Sequence, residues 1–246
     1  MLEKNRYIRN IIIDKIGIEG QKKLSLAKIL VIGAGGLGSS TILYLAANGI
    51  GAITIIDHDK VELSNLQRQI IHNQQDINRF KVDSAKEKIS HLNSNINLTT
   101  LKLKADEKNL KKIITEFDIV IDCSDNFTTR FNINKICYTN NKTLIFGAVK
   151  EFYAQLAIFK PSIHSSCYNC FNEDNAQKRL DTKLSDKGIL GSIPGIVGSM
   201  QATIAINEIL SINEFKPNQI LLCNFLDFSF RTVKISKNPS CNICNK

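Results

Sequence analysis

Short apolar runs alternate along the chain with longer stretches of helical spacing. Residues 29–32 (ILVI), 53–56 (ITII), 119–123 (IVIDC) and 143–148 (TLIFGA) are nearly continuous in apolar side chains, which suits strands covered on both faces. Residues 96–102 alternate enough to be a strand, and residues 155–159, 219–225 and 228–235 read as three more. Helical patterns start near residues 39 and 81, run over 108–117 and 128–138, and resume over 193–210 with Pro194 at the start. Residues 5–24 place Ile8, Ile11 and Ile12 at helical spacing beside Arg6 and Arg9, the pattern of a surface helix with solvated arginines. This order predicts a Rossmann-like α/β fold: a mostly parallel central sheet, helices on both faces, and antiparallel strands towards the C-terminus.

The first strand-to-helix connection carries chemistry. Gly33, Gly35 and Gly38 stand at G-x-G-x-x-G spacing directly after residues 29–32, with Gly36 in the same loop. Gly33 suits the tight turn, Gly35 lets backbone approach phosphate oxygens, and Gly38 lets the next helix pack closely. The first amides of that helix then face an anion with a favourable dipole. Asp57 ends the second apolar run, where an acid can accept from ribose hydroxyls. A tight turn without a ligand is the plainer alternative.

Beyond that strand, Asp57, Asp59, Asn65, Arg68 and Lys81 gather acids, an amide and cations where open α/β sheets bind ligands. Arg68 and Lys81 suit phosphates; taken singly, each charge also suits a solvated loop. Asp122 and Asp125 follow the third apolar run, so either can reach a Mg²⁺ beside phosphates, while Asp125 is equally suited to cap the following helix.

Composition narrows the class. At 246 residues and 43% hydrophobic, the chain suits one large α/β domain. No apolar run approaches the ~18 residues of a membrane helix and no signal peptide precedes the first charges, so a soluble cytoplasmic protein without membrane contact is expected. The net charge of +9 is dispersed, with no basic block or aromatic-interleaved stripe. Nucleic acid is therefore not the expected partner, although the charge can steer an acidic protein.

The seven cysteines are odd in number and unevenly spread, which argues against a disulfide framework. Cys167 and Cys170 form one C-x-x-C pair and Cys241 and Cys244 another, and four thiolates satisfy tetrahedral Zn²⁺ with no open position, as in a structural site. Closing the intervening loop costs about 4 kcal/mol, against roughly 10–16 kcal/mol for structural Zn²⁺ in peptide hosts. Unligated thiols are the alternative. Cys137 and Cys223 read as core residues, whereas Cys123 borders the proposed site. Residues 172–187 are polar and aperiodic, as in a crossover loop.

RYIR, GAGGLG, SNLQRQ, the lysine of FKVDSAK, DCSDN, CYNC, GSIPGIVGSMQA and the closing CNIC together resemble the ThiF/MoeB/HesA adenylyltransferases, bacterial relatives of ubiquitin-activating enzymes, over nearly the whole chain. The resemblance implies a single adenylation domain over residues 1–246: a helical arm over 1–25, a nucleotide-binding core over 26–150, and a zinc-clamped, carrier-binding part over 151–246. It implies ATP on the glycine loop, Asp57 and Asp59 beside the nucleotide with Asp57 on the ribose, Asn65, Arg68 and Lys81 near the phosphates, and Asp125 at Mg²⁺. Arg9 matches the arginine that reaches the partner's ATP in the family's homodimer. The implied substrate is the C-terminal glycine of a ubiquitin-like sulfur carrier ending in Gly-Gly, in molybdopterin or thiamine-thiazole synthesis.

One departure stands out. Many relatives carry a cysteine shortly before the crossover segment aligned with GIL, where this chain has Leu184. Leucine forms no thioester or acyl-persulfide, so the chain is expected to stop at the adenylate and to rely on a separate sulfur donor such as a cysteine desulfurase or rhodanese. Adenylation of another peptide carboxylate is the nearest alternative. An NAD-dependent oxidoreductase leaves Arg68, Lys81 and Asp125 without roles, and an inactive zinc scaffold leaves the phosphate residues unexplained.

Overall fold

The predicted strands appear in the predicted order. The computed structural model describes residues 4–162, 164–172 and 188–245. Its strands are β1 Lys28–Ile32, β2 Ala52–Ile56, β3 Asn97–Leu101, β4 Ile119–Asp122, β5 Thr143–Lys150, β6 Tyr153–Phe159, β7 Gln219–Asn224 and β8 Ser229–Lys234. They form one eight-stranded sheet in the order β3-β2-β1-β4-β5-β6-β7-β8. Pairing is parallel from β3 to β5 and antiparallel from β5 to β8. The order reverses between β1 and β4, which opens a crevice at the carboxyl ends of these two strands.

The helices are α1 Ile8–Ile11, α2 Gly17–Leu26, α3 Gly36–Ala47, α4 Lys81–Leu92, α5 Glu107–Ile113, α6 Phe127–Thr139, α7 Tyr168–Asn172 and α8 Ser192–Ile209. They cover both faces. Ile29 and Val31 of β1 pack with residues of α3, α4 and α8, while Leu30 and Ile32 pack with residues of α5 and α6. A buried parallel strand therefore needs apolar residues at every position, which is why these runs lack alternation. Among the described residues, no helix is long and apolar enough to cross a membrane.

Two boundaries differ from the sequence reading. The N-terminal pattern forms two helices, the second opening at Gly17, which adopts φ +59°. The apolar side of α1 is not covered: Ile8 and Ile12 remain 49% and 60% exposed. The buried anchor is Tyr7, whose hydroxyl accepts from Asn93 Nδ2 at 2.8 Å. Helix α3 begins at Gly36, inside the glycine motif, rather than near Ser39.

Close approach explains the motif. Gly33 has φ +101°, and a Cβ built on Gly38 would lie 2.0 Å from the Gly33 carbonyl oxygen. Gly38→Ala must therefore push α3 away from β1. The expected cost is about 1–3 kcal/mol, read by denaturant unfolding, with nucleotide affinity falling alongside. A variant as stable as the parent would show that the turn tolerates the shift.

Candidate active site and metal centre

A cavity of about 530 Å³ opens at the carboxyl ends of β1, β2 and β4. Gly33, Gly35 and Gly36 line one side of it and Asp57 and Asp59 another, with Arg68, Lys81 and Asp125 also on its wall. The sequence-predicted cluster thus converges, with three exceptions. Gly38 supports the loop from beneath, against the Gly33 carbonyl. Asn65 is buried and does not reach the wall; its Oδ1 accepts from the Glu62 amide at 3.1 Å, and its carbonyl accepts from the Arg68 amide at 3.1 Å. Arg9 is exposed on α1 and takes no part in this cavity.

Asp57 is held by the backbone. Its Oδ2 accepts from the Ala34 amide and its Oδ1 from the Asp59 amide, both at 2.8 Å, so the acid ties the glycine loop to β2. Each oxygen keeps a lone pair for a ligand hydroxyl. Lys81 opens α4, is 7% exposed, and places Nζ 3.1 Å from Asp59 Oδ2. Arg68 is half-buried and donates to the Ser64 carbonyl at 3.1 Å.

The two acids after β4 separate in role. Asp122 is buried, its Oδ1 accepts from the Ser124 amide at 2.9 Å, and it does not line the cavity. Burial pushes its carboxyl above the ordinary value, against the pull of Arg130. Asp125 is exposed on the cavity wall. The helix cap is Asn126, whose side chain accepts from the Thr129 amide at 2.9 Å, so capping does not account for Asp125. A hard divalent cation fits such an oxygen donor.

Three residues escaped the sequence reading. Gln69 is buried on the cavity wall, with Oε1 lacking a partner among the described residues. Arg130 lies on the same helical stripe as Ile133 and Cys137, a signal visible as a charge on an otherwise inward face. His72 gave no signal, because its partners come from distant segments.

His72 Nε2 lies 2.9 Å from the Ala34 carbonyl and Nδ1 lies 2.8 Å from Ser84 Oγ. A carbonyl only accepts, so in the neutral ring Nε2–H donates and Nδ1 accepts. The ring thereby ties the glycine loop to α4. Burial lowers its pKa from the ordinary 6.5, outweighing the Ala34 bond and the Asp76 charge. The unfolded chain then takes up a proton that the folded chain refuses. This contribution is full above pH 6.5 and is lost as pH falls from there through the lower folded value. Thermal melts between pH 7.5 and 5.5 should show a falling midpoint, and His72→Gln should flatten that slope; an equal slope in both would clear His72.

Cys123 borders the cavity but is 6% exposed, with Sγ near Thr41 Oγ1 and Gln201 Oε1 at 3.7 and 3.6 Å. Burial pushes its thiol well above the ordinary value, which leaves no thiolate for chemistry. Cys137 and Cys223 are buried core residues, as expected.

The remaining four cysteines meet. The sulfurs of Cys167, Cys170, Cys241 and Cys244 all lie within 4.8 Å of one another. Cys167–Cys241 and Cys170–Cys244 are 3.7 and 3.3 Å apart, far beyond the ~2.05 Å of a disulfide. A tetrahedral metal with ~2.3 Å bonds to sulfur has edges of about 3.8 Å. The cluster fits such an ion.

A model of the ThiF family matches residues 7–243. The chain belongs to the ThiF family. Similar proteins include a sulfur carrier protein adenylyltransferase of Thermus thermophilus, 33% identical, with 98% of this chain and 91% of that protein covered. The SAMP-activating enzyme E1 of Haloferax volcanii is 36% identical, covering 98% and 89%. A probable molybdopterin-synthase adenylyltransferase of Gracilaria tenuistipitata var. liui is 40% identical, covering 99% and 68%. Among solved structures, E. coli MccB with ATP superposes with a TM-score of 0.84 at 25% identity, over 98% of this chain and 74% of that one. The resemblance read from the sequence and the mixed Rossmann-like sheet are both borne out. In this ThiF-family chain the glycine loop, the Arg68–Lys81 pair and Asp125 are the cavity's distinguishing chemistry.

Proposed function

We propose that this chain uses ATP to adenylate the C-terminal glycine carboxylate of a ubiquitin-like sulfur carrier ending in Gly-Gly, releasing pyrophosphate. The convergence of the glycine loop, two cations and an acid that does not cap the helix on one cavity carries this reading. Relatives named as sulfur-carrier and molybdopterin-synthase adenylyltransferases agree with it. Molybdopterin or thiamine-thiazole synthesis is the setting this reading assigns.

The chemistry asks for positioning more than covalent participation. A carboxylate oxygen of the carrier attacks the α-phosphorus, the bond to the bridging oxygen breaks, and the electron pair leaves with pyrophosphate. Asp57 orients the ribose, with Asp59 placing Lys81. The amides of Gly35 and Gly36 face the phosphates. Arg68 and Lys81 neutralise the departing charge. Asn65 acts indirectly, by fixing the turn that carries Arg68. Asp125 would hold Mg²⁺, which when bound would add charge neutralisation on the phosphates. Arg9 serves the partner's site in a homodimer, which suits its exposure outside this chain's own cavity.

Cys167, Cys170, Cys241 and Cys244 hold structural Zn²⁺, fastening the C-terminal tail to α7. The protein works in the cytoplasm as one adenylation domain. Leu184 lies outside the described residues. Its side chain supports a reaction that ends at the adenylate, with a separate sulfur donor taking over; a thiol-sensitive covalent adduct with the carrier, found by mass spectrometry, would refute that ending.

ATP–pyrophosphate exchange with Mg²⁺ tests the activity. Exchange is expected only with the Gly-Gly carrier present. Exchange driven by a short peptide carboxylate would favour a second reading, suggested by E. coli MccB solved with AMPCPP and MccA, 26% identical to this chain. Absence of exchange with both substrates would overturn the adenylation reading.

A further inference from the structure

We propose that Arg130 is a positioning residue that locks the turn before Asp125, so that the Asp125 carboxylate stays set for the divalent metal of the bound nucleotide. This rests on the reading of Asp125 given above.

Ser124 is gripped at both backbone groups. Its amide donates to Asp122 Oδ1 at 2.9 Å, and its carbonyl accepts from Arg130 Nη2 at 3.0 Å. Asp125 is the next residue, so the peptide plane that leads into its Cα is set by this two-sided hold. Arg130 is 5% exposed, and its guanidinium lies over the Phe127 and Phe146 rings, 5.6 and 5.5 Å from their centroids. Phe146 packs 4.9 Å from Tyr168, the residue after Cys167. Arg130 is thus braced through aromatic rings against the sheet and the four-cysteine cluster.

Stability alone is a poor reason for this arrangement. A buried opposite-charge pair is often no better than apolar residues of similar volume, and Arg130 Nε has no partner among the described residues. A side chain chosen for packing would leave no such atom. What the arginine adds is direction, because its planar guanidinium, set against the Phe127 and Phe146 rings, fixes the Nη2 that grips the carbonyl. It also opposes the charge of Asp125 at the buried Asp122 carboxyl, which Asp125 pushes up and Arg130 pulls down.

The test uses the full chain saturated with a non-hydrolysable ATP analogue and titrated with Mn²⁺, followed by electron paramagnetic resonance. Metal-free nucleotide affinity is measured separately in EDTA, together with the metal content of the four-cysteine cluster. Arg130→Met should weaken Mn²⁺ binding tenfold or more, with metal-free affinity within twofold and cluster metal unchanged. Arg130→Lys should keep the charge, lose the planar guanidinium, and weaken Mn²⁺ binding about threefold. Unchanged Mn²⁺ affinity in either variant overturns the proposal, as does a parallel fall in metal-free nucleotide affinity. Should the methionine variant fail to fold, the lysine variant decides alone. Carrier-dependent exchange reports on the adenylation reading separately, since the Mn²⁺ titration needs no turnover.

Discussion

Asp125→Ala is expected to lower Mg²⁺-dependent pyrophosphate exchange by roughly 10²–10³-fold, the scale seen when a group stabilising transition-state charge is removed. Folding should survive. The acid is exposed, accepts from Asn126 Nδ2 at a long 3.5 Å, and the helix keeps its cap through Asn126 and Thr129. The loss should appear as a steeper Mg²⁺ requirement, since nucleotide binding through the glycine loop, Arg68 and Lys81 persists. The checks are exchange across a Mg²⁺ series, melting temperature, and metal content of the cysteine cluster. Unchanged exchange would remove Asp125 from the site, and a collapsed melt would make it structural.

Cys170→Ser should act on stability instead. Three remaining thiolates hold a tetrahedral ion poorly, and with the ion goes the clamp between α7 and the C-terminal tail. Restoring freedom to a loop of about 70 residues returns on the order of 4 kcal/mol of chain entropy. For a chain of this length that corresponds to a fall of roughly 8–16 °C in melting temperature. Bound zinc, measured by mass spectrometry of the desalted protein, should fall below stoichiometry, and a chelator should reproduce both effects in the unaltered chain. A variant with full metal content and the parent's melting temperature would refute the structural site. Opposite signatures of the two substitutions would separate an acid that works on the ligand from thiols that hold the fold.

Much of the site was legible because its chemistry is local in sequence. The glycine loop must be glycine where backbone meets backbone: Gly33 turns with positive φ and Gly38 faces a carbonyl at a distance no Cβ permits. Asp57 follows β2 by one residue, and Asp125 follows β4 by three. Strand ends and chemistry coincide in a parallel sheet, so apolar runs and the polar residues after them are read together.

The less legible residues act through space. His72 binds Ala34 and Ser84 from a loop with no periodicity. Asn65 stood among the phosphate residues by its neighbours, yet its side chain is spent on the turn at Glu62. Asp122 and Asp125 were equivalent as carboxylates after a strand. One is buried as the last residue of β4 and the other is exposed on the cavity wall in the turn beyond it, a difference that two nearby acids do not reveal.

By itself, the sequence determined the order of the strands, the glycine turn after β1, and the pairing of two C-x-x-C motifs. Each follows from backbone sterics, burial on two faces, or ligand count, which are properties of a few adjacent residues. Tertiary structure alone decided which acid faces the cavity, that Asn126 caps the helix, that Cys123 is sealed into the core, and that Arg130 grips the turn before Asp125. These are contacts between segments distant in the chain, or choices of side-chain direction. Burial and hydrogen-bond geometry settle them only once the sheet has brought the segments together.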